Sequence, residues 1–151
     1  MIQKFLRGKE ITCFAFSKNA GGKKETTVAS PFEIYSEESN FLTTDAKYSR
    51  RPHGYLLNCA SGTDINAIKN AVARATETLG CSGLSRTDMI IADRNKIFVL
   101  EINTLPFFNP GALYAGFMPV GLPINTLLDM MTEEAIARRS SNAGNGLADE
   151  F

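Results

Sequence analysis

The chain has 151 residues, enough for one domain with a sizeable hydrophobic core. Its 44% apolar and 21% charged residues are typical of a globular protein and argue against disorder. Sixteen basic side chains balance sixteen acidic ones, so no net charge favours a nucleic-acid or anionic-membrane partner.

The first part of the chain has the composition of β-strands. Residues 9–16 are β-branched and aromatic, and a second segment of this kind follows a turn at residues 19–24. A polar and irregular stretch covers residues 36–51. Strands are therefore expected at residues 9–16, 26–29, 31–35 and 55–59, the third either extending or following the second.

The middle of the chain predicts a helix. Residues 60–64, Ala-Ser-Gly-Thr-Asp, supply an N-cap, and Gly80 is typical of the residue that ends a helix. Apolar side chains recur between them at spacings of three and four, which places them on one face. This apolar stripe consists of Ile65, Ile68, Val72, Ala75 and Leu79.

The second half predicts two more strands and a second helix. Residues 89–92 and 97–102 are apolar strands around a polar turn, and residues 104–123 are expected to form a long structured loop rich in Pro, Gly and aromatics. A second amphipathic stripe predicts a helix that ends near Arg139, followed by a flexible tail at residues 140–151. The stripe consists of Ile124, Leu127, Leu128, Met131, Ala135 and Ile136.

The order of these elements predicts an α+β domain over residues 1–139, with helices packed on an antiparallel sheet. No apolar run approaches the roughly 20 residues of a membrane span, and the N-terminus lacks the apolar core of a signal peptide. Cys13, Cys59 and Cys81 lack metal-ligand spacing, so we expect buried thiols in a reducing cytoplasm. The single histidine, His53, is expected in a solvated loop.

The two strands around residues 93–96 carry a group of polar side chains. A two-residue turn at Arg94-Asn95 places Asp88 opposite Glu101 and Arg86 opposite Asn103. Because side chains alternate along a strand, these four would share one face with Ile90 and Val99. A three-residue bulged loop would instead move one strand's side chains to the other face.

Two carboxylates directly opposite each other repel, and a divalent cation would resolve the repulsion. Oxygen atoms of Asp88, Glu101 and Asn103 are hard ligands suited to Mg²⁺ or Mn²⁺. A guanidinium beside such an ion, here that of Arg86, is suited to a phosphate. The alternative is a solvent-facing hairpin in which Arg86 only neutralises Asp88, and on these residues alone this alternative is favoured.

The motif around this hairpin resembles a known family. Residues 78–88 end in a small residue followed by Arg-x-Asp, and residues 99–106 carry Glu-x-Asn-Thr-x-Pro after the hairpin. This arrangement resembles the C-terminal catalytic portion of D-alanine–D-alanine ligases, which belong to the ATP-grasp superfamily. The implied fold is the C-terminal lobe of the ATP-grasp fold.

Three upstream segments resemble the same family in the same order. Residues 3–6 resemble its nucleotide hinge, and residues 8–12 resemble its Gly-x-Glu-x-Thr segment. Phe41 and residues 45–48, Asp-Ala-Lys-Tyr, resemble its Phe…Glu-Ala-Lys-Tyr segment. The resemblance covers about residues 1–136.

The resemblance implies roles for the polar side chains. Asp88, Glu101 and Asn103 would hold two Mg²⁺ (or Mn²⁺) ions between the phosphates of ATP, with Glu101 bridging the ions. Arg86 would bind the transferred phosphoryl group and stabilise the tetrahedral intermediate. Two further residues belong to a loop over the site: Lys47, which would contact the phosphates, and Tyr48, which would help to close the loop.

The resemblance also implies a nucleotide pocket. Glu10 would accept hydrogen bonds from the ribose hydroxyls, and backbone groups of Lys4 and Leu6 would bind the adenine edge. The ordinary alternatives are an edge-strand carboxylate for Glu10, a solvated loop lysine for Lys47, and core positions for the apolar residues. Residues expected to wall the adenine are Phe5, Phe41, Ile90 and Leu100, although Leu100 faces away from Glu101 in the assumed register.

The sequence departs from the family in three respects. The chain is shorter than a family ligase and lacks the lobes that complete the ATP site, so we expect weak ATP binding and no turnover by this chain alone. It would be a fragment of a longer protein, or its partner lobe would be a separate chain. In the amino-acid pocket, Phe107 replaces a glycine, and Ala112 and Leu113 stand where the family has serine and leucine, which puts D-alanine in doubt as the substrate.

Three functions remain open from the sequence. The first is part of a cytoplasmic, ATP-dependent carboxylate–amine ligase that works through an acyl phosphate on a small amino-acid-type substrate, as in peptidoglycan biosynthesis. The second is a non-catalytic ATP- or metal-binding module derived from such a ligase. The third is a structural interaction domain. If the surface that contacts the missing lobe is exposed, a homodimer is possible through that apolar patch.

Overall fold

In the described part of the chain, the sheet contains six antiparallel strands. The structure, a computed structural model, describes residues 4–20, 23–35, 54–57 and 64–144. Five strands lie in the order β4-β3-β1-β5-β6, and β2 pairs with the far end of β1. The strands are β1 (Gly8–Ala20), β2 (Lys23–Val28), β3 (Phe32–Tyr35), β4 (Gly54–Leu57), β5 (Gly83–Ala92) and β6 (Lys96–Asn103).

β1 is the central strand and has different neighbours along its length. It pairs with β5 from Gly8 to Ser17 on one side. On its other side, β3 pairs with its first half and β2 with its second half. A strand of 13 residues therefore organises the whole sheet.

Three helices pack on the two faces of the sheet: α1 (Ile65–Thr78), α2 (Pro110–Phe117) and α3 (Ile124–Gly144). Both alternating sets of β1 side chains are apolar, so each face has its own core. The core under α1 contains Ile11, Cys13, Ala15, Ile68, Val72, Met89 and Ile91. The core under α2 and α3 contains Phe14, Phe16, Ala29, Phe32, Leu84, Leu113, Phe117 and Leu127.

The predicted fold class is confirmed, and each predicted strand is present. β5 begins at Gly83 rather than at residue 89, because residues 85–88, Ser-Arg-Thr-Asp, carry no apolar signal. Cys13 and Cys81 are buried free thiols, as predicted. Cys59 and His53 lie outside the described residues.

The prediction of a loop over residues 104–123 is wrong, because α2 lies within it. The Asn109 side chain accepts a hydrogen bond from the Ala112 amide at 3.2 Å, and Pro110 occupies the start of the helix. Gly116 allows a close approach to the sheet, since a Cβ there would lie 3.2 Å from the Phe32 ring. The helix thus depends on a cap and a tertiary contact, neither of which gives an apolar period.

The last helix is longer than predicted. α3 ends at Gly144 rather than near Arg139, so the first five residues of the predicted tail are helical, and residues 145–151 lie outside the described part. Leu127 is buried, whereas Leu128 and Ile136 of the same predicted stripe are exposed. Among the described residues no single helix has the length and hydropathy of a membrane span; only Pro110–Val120 and Ile124–Ser140 taken together reach them, and they meet at a 99° bend.

α1 begins and ends as the sequence predicts. The Asp64 side chain accepts a hydrogen bond from the Ala67 amide at 3.0 Å. At the other end, Gly80 has a φ of +66°, and the Cys81 amide donates to the Thr76 carbonyl at 3.0 Å. This is the Schellman arrangement, in which a left-handed residue after the helix satisfies its last carbonyls.

Glu134 anchors α3 to the sheet. Its side chain is only 3% exposed. Oε1 accepts a hydrogen bond from the Ser82 hydroxyl at 2.6 Å, and Oε2 accepts one from the Asn19 amide at 3.1 Å. Arg138, one turn later, places Nε 3.9 Å from the same carboxylate. One buried carboxylate therefore joins α3 to β1 and to the residue before β5.

Gly80→Ala is expected to lower the free energy of unfolding by about 1–2 kcal/mol, because a Cβ disfavours the left-handed conformation. A Cβ at Gly80 meets nothing within 4 Å, so the loss is conformational rather than steric. Gly80→Asn should lose less, since asparagine tolerates this conformation. Urea denaturation measures both, and a Gly80→Ala protein of unchanged stability would contradict the assignment.

Glu134→Gln is expected to lower the free energy of unfolding by about 1–3 kcal/mol, because an amide NH₂ would face one of the two donors. Glu133→Gln is the matched control, with the same change of charge on the exposed neighbouring residue. Thermal denaturation of the two variants measures the difference. Equal melting temperatures would show that the buried carboxylate does not anchor the helix.

Candidate functional site

The polar residues predicted to form a site lie on the face of the sheet that also carries the core under α2 and α3. Thr12 of β1, Asp88 of β5 and Glu101 of β6 are successive cross-strand partners, so they form a row across the sheet. Two residues further along, Arg86 pairs with Asn103. The structure therefore brings the four predicted hairpin residues together, beside a threonine.

Asp88 is at the centre of this group. The Arg86 guanidinium donates from Nε to Oδ1 at 3.0 Å and from a terminal nitrogen to Oδ2 at 2.7 Å. The Thr12 hydroxyl donates to Oδ1 at 2.6 Å. The side chains of Arg86 and Asp88 are 25% and 16% exposed, so the ion pair is largely shielded from water. Its bidentate geometry is the strong form of an arginine–carboxylate interaction.

Glu101 and Asn103 differ from Asp88 in their surroundings. Glu101 is exposed, and it has no hydrogen-bond or ion-pair partner among the described residues. Asn103 is half-buried, and its Oδ1 accepts a hydrogen bond from the Leu105 amide at 3.0 Å. This local bond orients the carboxamide. In the described ranges no three His, Cys, Asp or Glu side chains form a metal cluster, since this set has two carboxylates and a carboxamide.

The predicted two-residue turn of the β5–β6 hairpin is wrong, whereas the predicted pairings of its polar residues are present. The turn has three residues, Asp93–Asn95, rather than two, so Ile90 pairs with Phe98 and not with Val99. A bulge then inserts Leu100 into β6 and shifts the register back between Met89 and Asp88. The predicted pairings of Asp88 with Glu101 and of Arg86 with Asn103 are therefore present, because the bulge compensates for the longer turn.

The structure also places the described residues of the predicted nucleotide pocket. Glu10 and Ile90 are cross-strand partners, adjacent to the row that contains Asp88. Phe5 lies before β1 and is 70% exposed, between the exposed Lys4 and the half-buried Leu6. Three predicted residues, Phe41, Lys47 and Tyr48, lie outside the described residues.

Leu100 occupies the bulge and is 53% exposed. The simple alternation of side chains would place it on the face opposite Glu101. At a bulge this alternation is broken, so it does not determine the face of Leu100, which lines a pocket with Ala71 and Ala75 of α1. The alternative for both Phe5 and Leu100 was a position in the core. Neither residue is in the core, because both are exposed.

The alternative of a solvent-facing hairpin, in which Arg86 only neutralises Asp88, agrees with the structure only in part. Its defining contact, between Arg86 and Asp88, is present. However, that pair is shielded rather than solvated, while the carboxylate opposite it has no described partner. Sequence reasoning missed the Thr12 hydroxyl, because only the β1–β5 pairing brings this residue to Asp88.

The segment between β6 and α2 is exposed and apolar. Leu105, Phe107 and Phe108 are exposed large hydrophobic side chains close in sequence to Asn103. Ala112 is half-buried at the start of α2, and Leu113 is completely buried in the core. An apolar surface beside a polar site is typical of a region that a ligand or another part of a protein covers.

Comparison with known families gives one match over most of the chain. The family model described as D-ala D-ala ligase C-terminus matches residues 1–133. Among similar curated proteins, D-alanine–D-alanine ligase A of Mesorhizobium japonicum is 29% identical over 143 residues, which are 91% of this chain and 39% of that protein. D-alanine–D-alanine ligase of Synechococcus sp. is 30% identical, over 95% of this chain and 44% of that protein. The chain thus spans about two fifths of these relatives.

Solved structures share the fold. The D-alanine–D-alanine ligase from Coxiella burnetii has a TM-score of 0.63 at 26% identity, with 93% of this chain and 34% of that chain covered. D-alanine–D-alanine ligase from Bacillus anthracis, complexed with ATP, has a TM-score of 0.64 at 23% identity, with 93% and 42% covered. The sheet and its helices therefore form the fold of the C-terminal part of these ligases.

Deletion of Leu100 is expected to remove the bulge and leave a regular hairpin in which Asp88 still faces Glu101. The reason is that the three-residue turn and the inserted residue shift the register in opposite directions. Cross-strand nuclear Overhauser effects between Asp88 and Glu101 measure the pairing, with Leu100→Ala as the length-matched control. Contacts from Asp88 to residue 102 in place of Glu101 would contradict the compensation.

Proposed function

Because the chain belongs to the D-alanine–D-alanine ligase C-terminus family, we propose that it is the C-terminal part of an ATP-dependent carboxylate–amine ligase. The observation that carries the proposal is the grouping of Asp88, Glu101, Arg86 and Asn103 at adjacent positions of one sheet face. In the proposed reaction a carboxylate attacks the γ-phosphorus of ATP and forms an acyl phosphate, with ADP leaving. An amine then attacks the acyl carbon, phosphate leaves, and an amide forms.

Asp88, Glu101 and Asn103 would hold Mg²⁺ or Mn²⁺. Their oxygen atoms are the donors that these ions prefer, and Arg86 pairs with only one of the two facing carboxylates, Asp88. A bound ion would neutralise charge that develops on the phosphates during transfer. Glu101 has no described partner to displace, which suits it to bridge two ions.

Arg86 would hold the transferred phosphoryl group. A guanidinium binds phosphoryl oxygens with the same bidentate geometry that Arg86 now shows toward Asp88. In the second step the same positive charge would stabilise the oxyanion that forms when the amine attacks. Lys47 and Tyr48, which precede β4 in the sequence, would complete this end of the site.

The nucleotide would lie along β5, from Arg86 toward Ile90. Glu10, beside Ile90 on the neighbouring strand, would accept hydrogen bonds from ribose hydroxyls. The backbone of Lys4 and Leu6 would bind the adenine edge. The exposure of Phe5 and Leu100 supports a wall that a bound base covers, to which Ile90 and Phe41 would also contribute.

We propose that the remaining part of the ATP-grasp fold is supplied by the same longer chain or by a separate subunit. The chain covers only 30–44% of the length of similar curated ligases, which supports this. The present chain alone would then bind ATP weakly and would not turn over. The substrate would be a small amino acid, with Phe107 and Ala112 altering the pocket relative to the family. These two residues also favour the second candidate, a non-catalytic ATP- or metal-binding module.

Asp88→Asn and Glu101→Gln are each expected to weaken Mn²⁺ binding at least about tenfold, because each removes a charged ligand. Asp93→Asn is the matched control, with the same loss of charge on the exposed turn of the same hairpin, and should leave binding within about twofold. Isothermal titration of the 151-residue chain with Mn²⁺, and then with MgATP, measures both.

Equal binding by Asp88→Asn and Asp93→Asn would contradict the metal assignment. Turnover with the N-terminal part of a related ligase added in trans separates the two candidate functions. Formation of ADP that depends on Arg86 supports the ligase, whereas binding without ADP formation supports the non-catalytic module.

A further inference from the structure

We propose that Thr12 is a positioning residue that fixes the carboxylate of Asp88 for metal binding. This inference rests on the proposed function, because Thr12 has this task only if Asp88 is a metal ligand. The inference comes from a single short contact between two strands and from the arrangement around it.

Thr12 is well placed for this task. It lies in the middle of β1, is 4% exposed, and is the direct cross-strand partner of Asp88. Its hydroxyl donates to Asp88 Oδ1 over 2.6 Å, which is the usual distance for a hydroxyl hydrogen bond to a carboxylate. Since the backbone of Thr12 is held by strands on both sides, its hydroxyl is a fixed donor.

The hydrogen bonds determine which oxygen of Asp88 faces the site. Oδ1 accepts from the Thr12 hydroxyl and from Arg86 Nε, which uses both of its lone pairs. Oδ2 accepts one described bond, from the terminal nitrogen of Arg86. Oδ2 therefore retains acceptor capacity for a cation, and the geometry points to a ligand that binds through this one oxygen.

Thr12 is needed in addition to Arg86 because Arg86 has a second task. In the proposed reaction the guanidinium binds the transferred phosphoryl group, which competes with Asp88 for the same bidentate donors. Whenever Arg86 turns to a phosphoryl group, the Thr12 hydroxyl is the described donor that still holds Asp88. The carboxylate then keeps its orientation through the step in which its ligand atom is used.

Burial alone does not account for the bond. Thr87, the neighbour of Asp88 on β5, is completely buried on the opposite face, and its hydroxyl has no partner among the described residues. This sheet therefore holds a threonine whose hydroxyl is unpaired within the described part. Thr12 and Thr87 lie on opposite faces of the sheet, and only Thr12, on the face of the site, donates a described hydrogen bond to a predicted metal ligand.

The test compares four variants of the 151-residue chain by electron paramagnetic resonance titration with Mn²⁺. Thr12→Val removes the hydroxyl at nearly constant volume and should raise the Mn²⁺ Kd about tenfold, as loss of a ligand-orienting partner typically does. Thr12→Ser keeps the hydroxyl and should stay within about twofold of the wild type. Thr87→Val is the matched control and should leave the Kd unchanged. Asp88→Asn gives the value for loss of the ligand itself.

A metal-free measurement accompanies the titration. The ¹³C chemical shift of the Asp88 carboxylate reports its hydrogen bonding, so it should move in Thr12→Val and return in Thr12→Ser. Thermal denaturation of each variant confirms that the fold is present. A general loss of packing would not be rescued by serine, which lacks the methyl group, so the pattern separates positioning from structural damage.

Each outcome decides the matter. A Thr12→Val protein that binds Mn²⁺ as the wild type does overturns the inference, as does a Thr12→Ser protein as weak as Thr12→Val. If Asp88→Asn binds Mn²⁺ as tightly as the wild type, the proposed metal site fails and the inference fails with it. Loss in Asp88→Asn without loss in Thr12→Val overturns the inference alone.

Discussion

The pairing of β1 with β5 is the constraint on which the rest of the structure depends. It joins ten residue pairs, from Gly8 opposite Ala92 to Ser17 opposite Gly83, across more than 60 intervening residues. The helix α1 lies within this connection and covers one face of the strands that it links. The same pairing places Thr12 beside Asp88 and Glu10 beside Ile90, so the core and the candidate site share one alignment.

A compensated irregularity in the β5–β6 hairpin keeps the site together. The turn at Asp93–Asn95 has one residue more than a two-residue hairpin turn. If β6 were regular after this turn, Glu101 would lie on the face opposite Asp88. The bulge at Leu100 restores the alternation before Glu101 is reached. Leu100 is exposed as a result. Asp88 and Glu101 stay on one face because the register shift of the bulge cancels that of the longer turn.

The two carboxylates of the site differ in how their charges are balanced. Asp88 is held by Arg86 and Thr12, whereas Glu101 opposite it has no described partner. Like charges directly opposite on neighbouring strands destabilise a sheet, so an arrangement of this kind favours an added cation. Phe5, in the segment before β1, and Phe107, in the segment after β6, are exposed apolar side chains.

The sequence by itself determined the features that depend on local preference. The limits of α1 follow from Asp64 and Gly80, and the side-chain spacing of the hairpin put Asp88 and Glu101 together even though the assumed turn was wrong. Only the tertiary structure decided how α2 packs on the sheet, with Gly116 against Phe32. It also decided the bond from Thr12 to Asp88, which joins residues 76 positions apart. Caps and alternation act over a few neighbouring residues and can be read along the chain, whereas contacts between distant strands exist only once their order and register in the sheet are fixed.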